Sequence, residues 1–413
     1  MVGDLVRESA LAGRVVLWEE SARDGAQGKT LMSAGFRVEL AREQGWIFGA
    51  DGPRHVVFAA GFPAVCAEEF EAVRRVAVET EGAVSVAAVC RGRAADVRQA
   101  ITSVKGTAHA RIMVVVPASE AMAQVMTHGS ARDALVGAVG LVKEAKGLDD
   151  TVAVDVCLAD ASRADHELTA AYAATLTETG AGTVILADSV GHQLPADTAT
   201  MFGRVRGAAG DHVVLASHLH NDLGLGLANT LEALRAGVRV VSASWLGIAE
   251  RSGMVATEQL LFLLAHRPDA AAEFLGAGAD AWWTAPDLTR LPGIARRVSA
   301  ETGVPLSVTT PIVGSGVGTI STGTPFVHPR LFQPFDPEEL LGITPDVVLT
   351  HLASIRVVKA VAARLGHELD DARAKAAMRW VKTWAYRTGR AVVPDDTFAA
   401  YLDGVCATVT GER

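Results

Sequence analysis

Cysteine is scarce in this chain. The four residues, Cys66, Cys90, Cys157 and Cys406, are scattered through 413 positions, and no two form a CxxC pair. That spacing argues against a thiolate metal site and reads as a reduced, cytoplasmic protein. Positive charge is also in deficit. Lys and Arg number 38 against 47 Asp and Glu, a formal net charge of -9. This balance argues against nucleic acid as a partner and gives no sign of membrane binding. Long apolar runs are missing; the longest are of strand length, so nothing is expected to span a membrane. Residues 1–13 carry charges throughout and lack the apolar core of a signal segment. What is present is a globular composition, 49% hydrophobic and 21% charged. A chain of this length can bury a large core and should hold more than one domain.

From residue 14 to about 270, short apolar runs alternate with longer helical patterns. The runs at 15–18, 55–60, 83–89, 111–116, 151–157, 183–187, 212–216 and 238–243 are of strand length, and most are rich in β-branched residues. Segments 68–80, 119–146, 161–179, 195–207 and 223–236 read as helices, with Gly180, Gly210 and Gly237 where helices should stop. Eight strand–helix units in about 250 residues predict an α/β protein built on a (β/α)8 TIM barrel. A doubly wound open sheet is the alternative. The placement of polar groups favours the barrel. Arg23 and Asp24 follow strand one, and Arg91 follows strand three. Asp160 and Arg163 follow strand five, and Asp188 and Ser189 follow strand six. His218 and His220 end strand seven, and Glu250 and Arg251 lie beyond strand eight. All of these converge on the C-terminal mouth, where barrel sites are built.

The pattern changes after about residue 270. Segment 280–292, with Trp282, Trp283, Pro286 and Pro292, reads as a crossing linker, and 311–337 as mostly irregular chain. Segments 337–366 and 370–388 read as helices. In the first, Val347, Val348, Leu352, Ile355, Val358 and Val361 mark one apolar face at helical spacing. The expected division is a catalytic barrel at 1–275, a linker and lid-like subdomain at 276–337 and a small helical subdomain at 338–413.

The chemistry concentrates in Ser217-His218-Leu219-His220-Asn221-Asp222. In a strand, residues i and i+2 share a face, so both imidazoles can reach one ion. Asp24 supplies a hard carboxylate, which completes a set suited to a catalytic divalent metal with open positions. Asn221 and Asp222 are expected to support the ligands from behind. Such an ion would act as a Lewis acid on a bidentate ligand such as a 2-oxo acid. Arg23 reads as a cation beside developing negative charge, or as a salt bridge across the mouth. Ser189 reads as a donor to a substrate carboxylate, or as a helix N-cap before Pro195. Asp160 and Arg163 read as an ion pair bracing the mouth; Arg163 and Arg91 are also candidates on the substrate side. Glu250 reads as a carboxylate near the substrate, or as part of a surface loop. Replacing His218 by Ala is expected to abolish metal binding with little unfolding, because the mouth lies outside the packed layers.

Taken in order, these motifs resemble a known family. They are Arg-Asp-Gly-x-Gln at 23–27, Gly61-Phe62-Pro63, Asp160-Ala161-Ser162-Arg163, Asp188-Ser189-Val190-Gly191, the run from His218 to Asp222 with Gly224 and Ala228-Asn229, and the stretch 247–253. The resemblance is to the DRE-TIM metallolyases, and within them to the 2-isopropylmalate, homocitrate and citramalate synthases. It covers the barrel and continues weakly through 311–314 and 333–337. It implies a Claisen-type condensation. An acyl-CoA, usually acetyl-CoA, loses an α-proton and attacks the ketone of a 2-oxo acid; thioester hydrolysis then releases CoA. It implies that Asp24, His218 and His220 hold a divalent metal (Zn, Mn or Mg), that Arg23 stabilises the oxyanion and that Gln27 lines the site. Ser189 takes the carboxylate-binding place where the family usually has Thr. The resemblance also implies a homodimer.

The departures from that pattern are specific. Met254 stands where Asn is usual, and a thioether is a poor ligand for a hard cation. Ala59 stands where an acidic residue is common. Ser321-Thr322-Gly323-Thr324-Pro325 replaces the usual Ser-Gly-Ile-His, and Phe332 replaces a Tyr. A catalytic His and Tyr are thereby missing, and His328 is the nearby substitute. These changes point to a different substrate or proton-transfer route, with specialised metabolism as a natural setting. The regulatory domain that follows in the leucine-pathway enzyme is not expected. A metal-dependent lyase or decarboxylase, working by retro-aldol or retro-Claisen cleavage, is the alternative.

Overall fold

The computed structural model describes residues 3–410. Contacts divide the chain into two compact units, 1–305 and 306–413.

In the first unit eight strands close into a parallel barrel in sequence order: β1 Val16–Glu19, β2 Val56–Gly61, β3 Ser85–Arg91, β4 Ala110–Pro117, β5 Ala153–Ala159, β6 Ala181–Asp188, β7 Leu215–Leu219 and β8 Val240–Ala243. β8 returns to pair with β1, Val16 opposite Val240 and Glu19 opposite Ala243. The open-sheet alternative is therefore excluded. Alternate residues fill the interior, among them Val57 and Ala59, Ala87 and Val89, Ile185 and Ala187. The period of two in each strand sends these side chains inward, and their neighbours face the surrounding helices. Cys157 is one of the interior residues. Burial pushes its thiol up to about 12, so it stays neutral.

Helices Ala34–Ile47, Ala67–Glu79, Ala94–Val104, Ala131–Leu148, His166–Thr179, Pro195–Ala209, Gly226–Arg235 and Thr257–His266 follow the strands in turn. Segment 119–146 is not one helix. It breaks between Glu120–Met126 and Ala131–Leu148, where His128 adopts φ 56°. Ser130 opens the second piece with a reciprocal cap. Its hydroxyl accepts from the Asp133 N–H at 3.1 Å, and the Asp133 carboxylate accepts from the Ser130 N–H at 3.3 Å. The expected β7 also shifts by three residues toward its C-terminus, which places His218 inside the strand.

The first helix, Leu5–Leu11, contributes Val6 and Ala10 to the barrel cluster. Its cap Asp4 pairs with Arg111, which also holds Asp155 at 2.7 Å. Residues 276–287 contain no helix or strand, and Leu291–Thr302 forms a helix of the same unit.

The second unit is helical, built on Ile355–Arg364, Asp371–Thr388 and Asp395–Thr410. Val357, Val358, Val361, Ala377, Val381 and Phe398 are buried together there. The continuous helix expected over 337–366 is not formed. Pro337–Leu341 ends at Gly342 with φ 63°, and Asp346–Val347 and Leu349–Thr350 are short strands. These pair with Thr319–Ile320 and Val392–Val393, so tertiary pairing overrides the helical spacing of Val347 and Leu352. No helix among the described residues is long and apolar enough to cross a membrane.

Candidate active site

The site begins where β1 ends. The backbone carbonyl of Glu20 accepts from the N–H groups of Arg23, Asp24 and Gly25 at 3.0, 2.8 and 3.1 Å. The chain therefore turns back at once into the short helix Asp24–Gln27. A side chain at Gly28 would place its Cβ 2.5 Å from the Ala249 carbonyl oxygen, so only glycine lets this turn lie against the loop after β8. That loop returns the contact: the Glu250 N–H donates to Asp24 Oδ1 at 2.9 Å. His218 is supplied by β7, and His220 follows in an isolated bridge with Met254. One ligand atom each from Asp24, His218 and His220 lie within 4.8 Å of one another, and all three residues are buried.

The electrostatics of this trio are asymmetric. His218 Nε2 lies 3.3 Å from Asp24 Oδ2. On the other side of the ring, Nδ1 lies 3.2 Å from Ser242 Oγ and 3.5 Å from Glu20 Oε1. Burial disfavours the imidazolium, but Asp24 and Glu20 outweigh it and lift His218 to about 9. In His220, burial and then the neighbouring His218 charge push the ring down to about 4. Its Nδ1 is buried without a hydrogen-bond partner. For Asp24, burial alone would raise the carboxyl; Arg23 and His218 overcome it and hold the group far below the usual carboxylate range. Arg23 is paired on two sides, with Nε 2.9 Å from Glu20 Oε2 and Nη1 3.0 Å from Asp24 Oδ2.

The residues fit a divalent cation on three counts. The donor set is one carboxylate and two imidazoles. One buried imidazole nitrogen is orphaned. Two carboxylates, Glu20 and Asp24, face one guanidinium, and a proton on His218 meets the surplus where no cation does.

With this geometry in hand, comparison with known proteins is direct. The HMGL-like family model matches residues 28–298. The chain belongs to the HMGL-like family. It is 30% identical over 410 residues to a 2-isopropylmalate synthase of Caulobacter sp. (strain K31), covering 95% of this chain and 72% of that protein. It is 28% identical over 392 residues to 2-isopropylmalate synthase 1 of Caldanaerobacter subterraneus, covering 93% and 94%. Among solved structures, the hydroxymethylglutaryl-CoA lyase from Pseudomonas aeruginosa shares the fold. The TM-score is 0.56 at 22% identity, over 72% of this chain and 95% of that one.

The other residues of this HMGL-like site vary in their roles. Gln27 is exposed, and its Oε1 accepts from Arg23 Nη1 at 3.2 Å. Ser189 is not a helix cap. The helix Pro195–Ala209 is capped at Leu194, whereas the Ser189 hydroxyl accepts from the Asp160 N–H at 2.9 Å and keeps its own proton to give. Asp160 and Arg163 form the expected brace, with two contacts of 2.8 Å. Arg91 is half exposed and paired with Asp96 at 2.5 Å. The Glu250 side chain is partly exposed and lies 3.3 Å from Arg251. His328 belongs to the second unit, where it is exposed and lines a 720 Å³ cleft with Ser354, Arg356 and Lys382. Met254 is buried beside His220, and Ala59 is buried in β2.

The expected role of Asn221 and Asp222 is overturned. The Asn221 side chain accepts from the Gly226 N–H at 2.7 Å, at the start of the next helix, and Asp222 pairs with Arg251 at 2.9 Å. Short side chains that follow a strand are free to serve the turn instead. The groups behind His218 are Glu20 and Ser242, and neither is singled out by the sequence pattern. A Glu closing a strand looks like a solvated end residue. Its one available signal is position, three residues before Arg23 and directly after an apolar strand.

Proposed function

We propose that this protein condenses an acyl-CoA, acetyl-CoA first among them, with a 2-oxo acid, giving a 2-substituted malate-type product and CoA. As a member of a family whose relatives here are 2-isopropylmalate synthases, it is an acyltransferase that converts the acyl group into an alkyl group on transfer. The observation that carries the reading is the buried Asp24, His218 and His220 trio at the barrel mouth, with Arg23 against it.

A divalent ion held by Asp24, His218 and His220 supplies Lewis-acid polarisation of the 2-oxo acid. Arg23 places a permanent positive charge where the ketone oxygen becomes negative. It is held there by Glu20 and Asp24, so little reorganisation is needed. Ser189 offers its free hydroxyl proton to the substrate carboxylate, and Gln27 lines the same side. Arg91 and Arg163 serve as a cationic rim for the anionic substrates. Glu250 and His328 take the proton-transfer roles that the Ser321–Thr324 stretch and Phe332 do not fill. The α-carbon of the acyl group loses a proton and bonds to the keto carbon. Water then cleaves the thioester and releases CoA as the free thiol. We further propose a cytoplasmic homodimer in which the 276–337 segment acts as linker and lid. The substrate is proposed to differ from that of the leucine pathway, because Ala59 and Met254 change the walls of the site.

The test is thiol release. Metal-loaded protein is incubated with acetyl-CoA and a panel of 2-oxo acids. Free CoA is expected with one acid and not without it. Silence across the panel, with cleavage of a 2-substituted malate-type thioester instead, would replace this reading with a carbon–carbon lyase.

A further inference from the structure

We infer that Glu20 is a positioning residue that commits His218 to the tautomer able to bind a metal and limits Arg23 to one contact with the metal-ligating carboxylate. The inference rests on the metal-dependent reading above and deepens it.

Glu20 has no exposed surface. Its backbone carbonyl gathers three N–H groups, including that of Asp24, and its N–H donates to the Ala243 carbonyl at 2.9 Å. The residue is therefore fixed by β8 while its side chain reaches toward β7. There the carboxylate faces His218 Nδ1 at 3.5 Å, beside Ser242 Oγ at 3.2 Å. The two neighbours differ in kind. A serine hydroxyl can donate or accept, so alone it tolerates either tautomer. A carboxylate only accepts, so beside it Nδ1 must carry the hydrogen. The neutral ring then presents the lone pair of Nε2 toward Asp24, where the ion would lie.

The same carboxylate accepts from Arg23 Nη2 through Oε1 at 3.2 Å, and its Oε2 lies 2.9 Å from Arg23 Nε as an ion pair. Arg23 reaches Asp24 only through Nη1, at Oδ2. Without Glu20 the guanidinium has one carboxylate left to pair with, and it is the one the metal needs. Glu20 therefore supports metal binding twice, through a ligand's tautomer and through a competitor's restraint.

The experiment titrates metal-free protein with Co2+ and follows its ligand-field absorption, alongside thermal melts. Glu20→Gln keeps the volume and one acceptor but adds a donor and removes the charge. It is expected to lose about 10- to 100-fold in Co2+ affinity while still melting cooperatively. Ser242→Ala leaves the carboxylate in command and should stay within about twofold of wild type. Wild-type affinity in Glu20→Gln overturns the inference. So does a loss in Ser242→Ala as large as that in Glu20→Gln, since orientation would then rest on the hydroxyl. If Glu20→Gln does not fold, Ser242→Ala decides alone: affinity within about twofold of wild type keeps the orientation with the carboxylate, and a loss of about tenfold or more overturns the inference. Failure of the wild-type protein to bind Co2+ is a different result, and it would remove the metal site itself.

Discussion

At the residue scale, the two histidines should be unequal. His220 carries a buried, unpartnered ring nitrogen, and its ring is held neutral near pH 7. His218 stands between two buried carboxylates. The expectation from sequence that His218→Ala would scarcely unfold the protein changes accordingly. Removing one partner of a buried charged cluster costs roughly 3 kcal/mol. We predict that His220→Ala abolishes metal binding and leaves the melting temperature of metal-free protein nearly unchanged, whereas His218→Ala lowers it by several degrees. Equal melting temperatures in the two metal-free variants would contradict this. The trio itself was legible, because a two-residue spacing on a strand is a geometric statement. Glu20 and Ser242 were not, because their significance depends on a ring supplied by another strand, almost two hundred residues after Glu20 and 24 before Ser242. Asn221 and Asp222 misled for a related reason: adjacency in sequence to a ligand says nothing about which way a turn points.

At the element scale, the loop between β8 and the helix Thr257–His266 joins several parts of the mouth. Its Leu246 N–H donates to Glu258 Oε2 at 3.1 Å, and its Trp245 N–H donates to Ser21 Oγ at 2.7 Å. Glu258 is fully buried, and burial pushes its carboxyl up to about 7. A carboxyl held above its unfolded value favours the folded state most at low pH. Its contribution is complete below about pH 4.5 and fades as pH rises through about 7. Glu258→Gln keeps an acceptor for Leu246 and cannot ionise. Its melting temperature should match wild type at pH 5 and exceed it at pH 8, by an amount on the order of 3 kcal/mol in stability. Parallel melting-temperature profiles for the two proteins would refute the assignment. Elements were legible where the apolar runs were short, and most of the eight were also rich in β-branched residues. They were less so at 119–146 and 337–366. Helical spacing ran on through both segments, but a capping box at Ser130 and strand pairing at Asp346–Val347 cut them.

At the scale of the whole molecule, the barrel followed from counting strand–helix units, and closure followed from polar residues gathered at one end. The two-unit division was harder to place, since Leu291–Thr302 belongs to the first unit although the composition has already changed before it. The proposed dimer is tested here. Light scattering should return about twice 43.1 kDa, and a single-chain mass would count against it.

The closed ring also fixes a timetable. Asp24 follows the first strand and His218 sits in the seventh, with the eighth lying between them in space. While the chain is being synthesised, the early half carries one ligand and the late half carries two. Neither half can hold an ion in the arrangement seen here. Capture of an ion by this trio would therefore wait for the last strand to slot in, and loading of the proposed site would be a chemical record that the barrel has been completed.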